Sequence, residues 1–203
     1  MKTSKLIFLT GAIFLMSFNH LAPGLSDGER KAAADHLKTT KDNLMAAVKG
    51  LTANQLNFKA DTASWSVAEC VEHLAISENN LFGFAQMSLK EAADPSKRAE
   101  VKMTDEGVVK MITDRTSKIK TQEAFKPTNK FGSYEGALKE FTIKRDGNIK
   151  YVMTTSDDLR NHYNDFSFGK IDTYQTIMFM SGHTTRHTAQ IKEVMANAAF
   201  PKK

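Results

Sequence analysis

Two histidines, His183 and His187, stand four residues apart in Gly182-His183-Thr184-Thr185-Arg186-His187. The surrounding stretch has helical apolar periodicity, and positions i and i+4 lie on one face of a helix. Two imidazoles so placed can share one transition-metal ion. Thr184 stands where a zinc protease of the HExxH type has its glutamate, so that chemistry is not indicated. A third ligand has to come from elsewhere in the chain, and His73 is the best candidate. By itself an HxxxH pair more often marks histidines that hydrogen-bond locally on a helix.

The elements that must position these residues are helices. Ser26 and Glu29 form a capping box, and Leu37, Leu44, Val48 and Leu51 give the following helix an apolar stripe up to a stop at Gly50. Residues 51–64 read as a connector. Ser66 and Glu69 form a second capping box, with Trp65 placed to staple the first turn. That helix is predicted over 67–92, with Val67, Cys70, Val71, Leu74, Leu81 and Phe84 on its buried face. His73 lies beside that face, Ser77 and Asn80 follow on its own face, and Glu69 is one turn before it. Polar groups there cost stability unless they are bonded, which suggests a purpose. Glu69 and Asn80 are candidates to orient an imidazole.

A link of about 40 residues follows, with a short helix predicted over 105–118 behind Thr104. Ser133 caps a long helix expected to reach Tyr163, and Asp172 caps the last, expected to reach Ala199. Phe179 and Met180 sit about one turn before His183 and would line the approach to an ion. No stretch reads convincingly as a strand. The pattern is all-α: a four-helix bundle whose long link between the second and third helices recrosses the bundle.

The chain has 203 residues, enough for one domain. Residues 1–22 read as a signal peptide: Lys2 and Lys5 precede a 13-residue apolar run, Leu6 to Phe18, and small residues follow at Ala22 and Gly24. The run is shorter than the roughly 20 residues a membrane-spanning helix needs. The expectation is an exported protein, periplasmic or extracellular, with residues 23–203 as its bundle domain and no stable membrane span after cleavage. Removing the leader leaves 26 basic and 23 acidic residues, a net charge of +3. The charges are interspersed, without a basic stripe or interleaved aromatics, so nucleic-acid binding is not indicated. The single cysteine, Cys70, cannot form an intrachain disulfide.

Two segments together resemble the DinB-like superfamily. One is Trp65-Ser66-Val67-Ala68-Glu69-Cys70-Val71-Glu72-His73-Leu74. The other, about 110 residues later, is Gly182-His183-Thr184-Thr185-Arg186-His187-Thr188-Ala189-Gln190-Ile191. Phe141 to Arg145 is similar to the family's F-x-x-x-R pattern. The resemblance covers most of the chain after the leader, from about Ser26 to Asn197. It implies a bundle running up, down, down, up, and a divalent ion, zinc or nickel, held by His73, His183 and His187. Three protein ligands leave positions open for water or substrate, as in catalytic sites. Characterised relatives include metal-dependent thiol transferases and hydrolases, so a small-molecule substrate or thiol is implied, and a homodimer is a common assembly. The leader is a departure, since most relatives are cytoplasmic. A non-catalytic metal- or ligand-binding bundle with a stress-related role is the alternative.

Overall fold

The structure, a computed structural model, describes residues 24–116 and 119–203. The leader read in residues 1–22 lies outside them. Four long helices form the bundle: α1 (Asp27–Val48), α3 (Val67–Ser88), α5 (Tyr134–Thr154) and α6 (Thr173–Met195). Two shorter helices, α2 (Ala53–Asn57) and α4 (Asp105–Thr113), lie in the connections.

The helices start where the sequence provides caps. Ser26 with Glu29 and Ser66 with Glu69 close reciprocal capping boxes, as do Thr52 with Gln55 and Asp172 with Gln175. Each satisfies two backbone donors that a helix start would otherwise leave bare. Ser133 and Thr104 cap α5 and α4 through their hydroxyls.

Pairings between helices fix their directions. Tyr174 near the start of α6 bonds the Glu29 carbonyl near the start of α1, so these two run parallel. Arg30 near the start of α1 reaches the Val152 carbonyl at the end of α5, so these run opposite. Ser88 at the end of α3 meets Thr173 at the start of α6, and Asn79 of α3 meets Glu140 of α5. The order is up, down, down, up. Because α3 and α5 are parallel neighbours, the chain must return the length of the bundle between them. Residues 89–133 do this, and α4 packs on α6 along the way.

The apolar core is divided in two. One cluster gathers Leu37, Leu81, Val152, Leu159, Ile177 and Met180, and the other Leu44, Val71, Leu74, Phe141 and Ile191. Between them lies a buried polar layer. Arg145 of α5 makes a two-point ion pair with Glu78 of α3, both contacts at 2.7 Å. Arg145 also donates to the Leu37 carbonyl and Thr40 of α1, and to Thr184 of α6. Asn148 donates to Glu78 as well. One guanidinium thus ties all four helices together at the height of His183.

Several expected boundaries are corrected. The second bundle helix ends at Ser88 instead of Ala92, the crossover helix at Thr113, and the last helix at Met195. Phe84, expected in the core, is 37% exposed. The third bundle helix ends at Thr154, well short of Tyr163, because Thr155 and Asp157 bond each other in a turn and Tyr151 adds a third bond to Asp157. Such local bonds compete with helix propagation. An antiparallel hairpin unforeseen from sequence follows, β1 (Tyr163–Phe166) and β2 (Gly169–Asp172). Gly169 takes φ +129°, which disfavours any side chain there. None of the helices in the described residues is long and apolar enough to cross a membrane.

At Gly182, the residue before His183, α4 packs tightly on α6. A Cβ there would come within 2.6 Å of Ile112 Cγ2. Gly182→Ala is therefore expected to lower stability by about 1–2 kcal/mol, despite alanine's better helix propensity. A urea midpoint equal to or above wild type would show that α4 yields without cost.

Candidate metal centre

His73 comes from the second turn of α3 and His183 and His187 from the middle of α6. The antiparallel packing of these helices brings the three rings together. Their Nε2 atoms form a nearly equilateral triangle: 3.2 Å from His73 to His183, 3.1 Å from His73 to His187, and 3.1 Å from His187 to His183. Among the described residues this is the group of histidine, cysteine and acidic side chains whose ligand atoms converge as a metal would require.

Hydrogen bonds on the far side of two rings fix their tautomers. The Nδ1 of His73 lies 2.7 Å from the Phe125 carbonyl oxygen, which can only accept. The Nδ1 of His187 lies 2.9 Å from Gln190 Oε1. Both rings thus carry their proton on Nδ1 and point a bare Nε2 lone pair at the shared centre. At most one proton, on His183, could lie among three nitrogens. Buried lone pairs crowded in this way cannot satisfy one another. A divalent ion at zinc–nitrogen distances of about 2.0–2.1 Å would satisfy all three, and imidazole nitrogens in a tetrahedral sphere sit about 3.3 Å apart. The donor set therefore fits an ion.

Burial also keeps the rings neutral, the form that ligates. It lowers the His73 pKa to about 4, against a smaller opposing contribution from the Phe125 carbonyl. His183 and His187 are held well below the ordinary histidine value, by burial first and then by repulsion from neighbouring cationic forms of the cluster.

Aromatic rings wall the triangle. The Trp65 ring centroid is 4.8 Å from that of His73 and 6.1 Å from that of His187. Phe179 stacks on His183 with 14° between planes. Two adjoining clefts reach the cluster, and Ile119, Lys120, Thr121, Arg186 and His187 line both. One, of about 450 Å³, touches all three histidines and is lined by Phe84, Phe125, Phe166, Phe168 and Phe179. The other, of about 460 Å³, reaches His187 past Arg115, Lys120, Lys126 and Arg186.

The remaining predicted site residues divide. Ser77 Oγ is 3.5 Å from His73 Nε2, and Phe179 forms part of the wall. Glu69 does not reach an imidazole: its carboxylate accepts from the Ser66 backbone at 2.8 Å and pairs with Lys59 at 2.7 Å. Asn80 donates to the Ala124 carbonyl, so together with His73 it fastens the 123–125 turn against α3. Met180 faces inward, with its sulfur 3.9 Å from Asn148 Nδ2. Cys70 is fully buried outside the cluster, and burial pushes its thiol pKa to about 12. Of the histidines outside the cluster, His36 bonds Ser181 and His162 the Ser88 carbonyl.

Three contributors were not assigned a role from sequence. Gln190 orients His187, and its i+3 spacing from that residue was a readable signal. The Phe125 carbonyl orients His73, and no side-chain pattern announces a backbone acceptor. The Trp65 ring, read only as a staple, covers two ligands.

Comparisons with known proteins give the chain a family and its fold a solved counterpart. The model of the DinB superfamily matches residues 36–191. The chain is 27% identical over 148 residues to YuaE of Bacillus subtilis strain 168, an uncharacterised protein, covering 72% of this chain and 87% of YuaE. Among solved structures it is similar to YfiT from Bacillus subtilis, described as a probable metal-dependent hydrolase with an unusual four-helix bundle topology. That likeness has a TM-score of 0.56 at 18% identity and covers 85% of this chain and 89% of the other.

Proposed function

Given that the chain belongs to the DinB superfamily, we propose that it is an exported, metal-dependent enzyme acting on a small molecule, with His73, His183 and His187 as the ligands of one divalent ion. The observation that carries this reading is the triangle of Nε2 atoms at 3.1–3.2 Å, two of them bare. Imidazole donors favour zinc or nickel over magnesium or calcium. An ion so held supplies Lewis acidity and lowers the pKa of a bound water or thiol toward neutrality.

The chain's own residues do the rest. The Phe125 carbonyl and Gln190 hold two imidazoles in the ligating tautomer. Trp65 and Phe179 exclude water from the sides of the cluster and lower the local dielectric. The cleft of about 450 Å³ gives a small substrate access beside His183. Hydrolysis is the first reading, in line with the description given to YfiT. Thiol transfer is the second. The adjoining cleft past Arg115, Lys120 and Lys126 favours it, because its cationic side chains could seat an anionic co-substrate beside His187. Export follows from the leader in residues 1–22.

Elemental analysis of the mature, untagged protein tests the site. About one zinc or nickel per chain is expected, and His183→Ala should lose it. A wild-type protein that holds no ion after incubation with either metal would remove the enzyme reading. Loaded protein would then be assayed on esters and amides in water, with and without added low-molecular-weight thiols.

A further inference from the structure

The wall of the cleft that touches all three histidines is a cluster of rings that reaches a proposed metal ligand. Phe166 and Phe168 stack at 5.1 Å with 16° between planes, and Phe168 and Phe179 at 5.3 Å with 19°. Phe179 continues onto His183 at 6.3 Å with 14°. Phe84 meets Phe166 edge-on at 6.3 Å and approaches Phe125 at 6.5 Å. The three packed rings have two sources. Phe179 belongs to α6, and the hairpin that interrupts the helical pattern carries Phe166 and Phe168 at its turn.

Core packing alone does not account for these rings. Phe166, Phe168 and Phe125 are only partly buried and Phe84 is 37% exposed, yet they cluster around one opening. Phe166, Phe168 and Phe179 pack on one another at 5.1–5.4 Å, too close for a ring to enter between them, so the slot for a ligand's ring is the cleft they wall, where a flat ring can meet their faces or edges. Lys120, Arg186 and Asp165 are the charged side chains that line this cleft, whose wall is mainly apolar, and Arg115 and Lys126 line only the other. A cleft of this volume is of the size that takes small-molecule ligands.

We infer that the cleft beside His183 is a subsite for a flat aromatic ring, so that the substrate is a small aromatic compound whose reacting group lies against the three histidines. The inference rests on the proposed metal site for the position of the reacting group, while the ring-binding slot stands on the phenylalanine geometry.

The test uses the zinc-loaded mature protein and three hydroxamates that share one chelating group: acetohydroxamate, cyclohexanecarbohydroxamate and benzohydroxamate. Their affinities are measured by calorimetry. Benzohydroxamate is expected to bind on the order of tenfold or more tighter than acetohydroxamate, as burial of a phenyl ring in an apolar slot implies. It should also bind more tightly than the cyclohexyl compound. Phe168→Ala should bring benzohydroxamate to within about threefold of acetohydroxamate and leave the latter unchanged. Phe84→Ala, at the exposed rim, should reduce the gain in the same direction and guards against a folding defect at the hairpin. Equal affinity of the phenyl and cyclohexyl compounds would overturn the flat-ring assignment, as would a phenyl preference untouched by either variant.

If the protein takes up no zinc, the metal reading fails and the slot is tested without it. NMR titration of the metal-free protein with benzamide should then shift the ring resonances of Phe166, Phe168 and Phe179, and acetamide should not. No selective shift would overturn the subsite independently of the metal.

Discussion

The Arg145→Ala variant is expected to lose about 3–5 kcal/mol of folding stability, the range for breaking a buried ion pair from one side. Arg145 and Glu78 are both nearly inaccessible to solvent. Removing the guanidinium leaves Glu78 charged in the interior, with Asn148 as its remaining donor in the layer. It also strips a donor from the Leu37 carbonyl, Thr40 and Thr184. Each buried acceptor left bare adds its own desolvation cost. For a domain of this size the loss corresponds to a drop of roughly 10 °C in Tm.

A second substitution separates charge from packing. Arg145→Met with Glu78→Leu removes both charges and keeps apolar volume in the layer. Its stability should recover a large part of the single-mutant loss, because paired buried charges can be replaced at little net cost. Urea unfolding of the three proteins provides the measurement. A loss below about 1 kcal/mol in Arg145→Ala would mean that water or a neighbouring cation replaces the guanidinium. The layer also bears on the site, since Thr184, bonded to Arg145, is the residue next to His183. The single variant should therefore loosen the register of α6 where it presents its two histidines.

Zinc or nickel should stabilise the wild-type protein and leave His183→Ala unaffected. A ligand that binds only the folded state adds RT ln(1 + [L]/Kd), about 4 kcal/mol at a thousandfold excess over Kd, or again roughly 10 °C in Tm. Without metal the order changes. The triangle of nitrogens, at most one of them protonated, gains little from its own convergence, so metal-free His183→Ala should lie within about 1 kcal/mol of the metal-free wild type. A thermal melt of each protein with added metal and with chelator gives all four values. A variant several kcal/mol weaker in chelator, with a wild type indifferent to metal, would make the histidines structural.

Much of this protein could be read along the chain because helix caps and the HxxxH spacing are local. Ser26-Glu29, Ser66-Glu69 and Asp172 fix helix starts through bonds spanning three residues, and i,i+4 geometry alone puts His183 and His187 on one face. Helix ends were less legible. Thr155 and Asp157 stopped α5 through a turn that competes with an otherwise helical pattern, and the hairpin's short strands gave no periodicity to detect. Glu69 illustrates the limit of reading function from position: one turn from His73, it serves its own helix start and Lys59.

The sequence by itself determined the helices, the pair of histidines on the last of them and the capped helix that carries the third. Only the tertiary structure decided that His73 meets that pair across 110 residues of chain. The meeting depends on α3 lying antiparallel against α6, an arrangement set by burial of their apolar faces and by the four-helix grip of Arg145. It also decided that a backbone carbonyl at Phe125 would orient His73 and that a hairpin would bring two phenylalanines to the cleft. These are contacts between segments distant in sequence. Their energy comes from packing and desolvation, and neither is specified until the helices have chosen their neighbours.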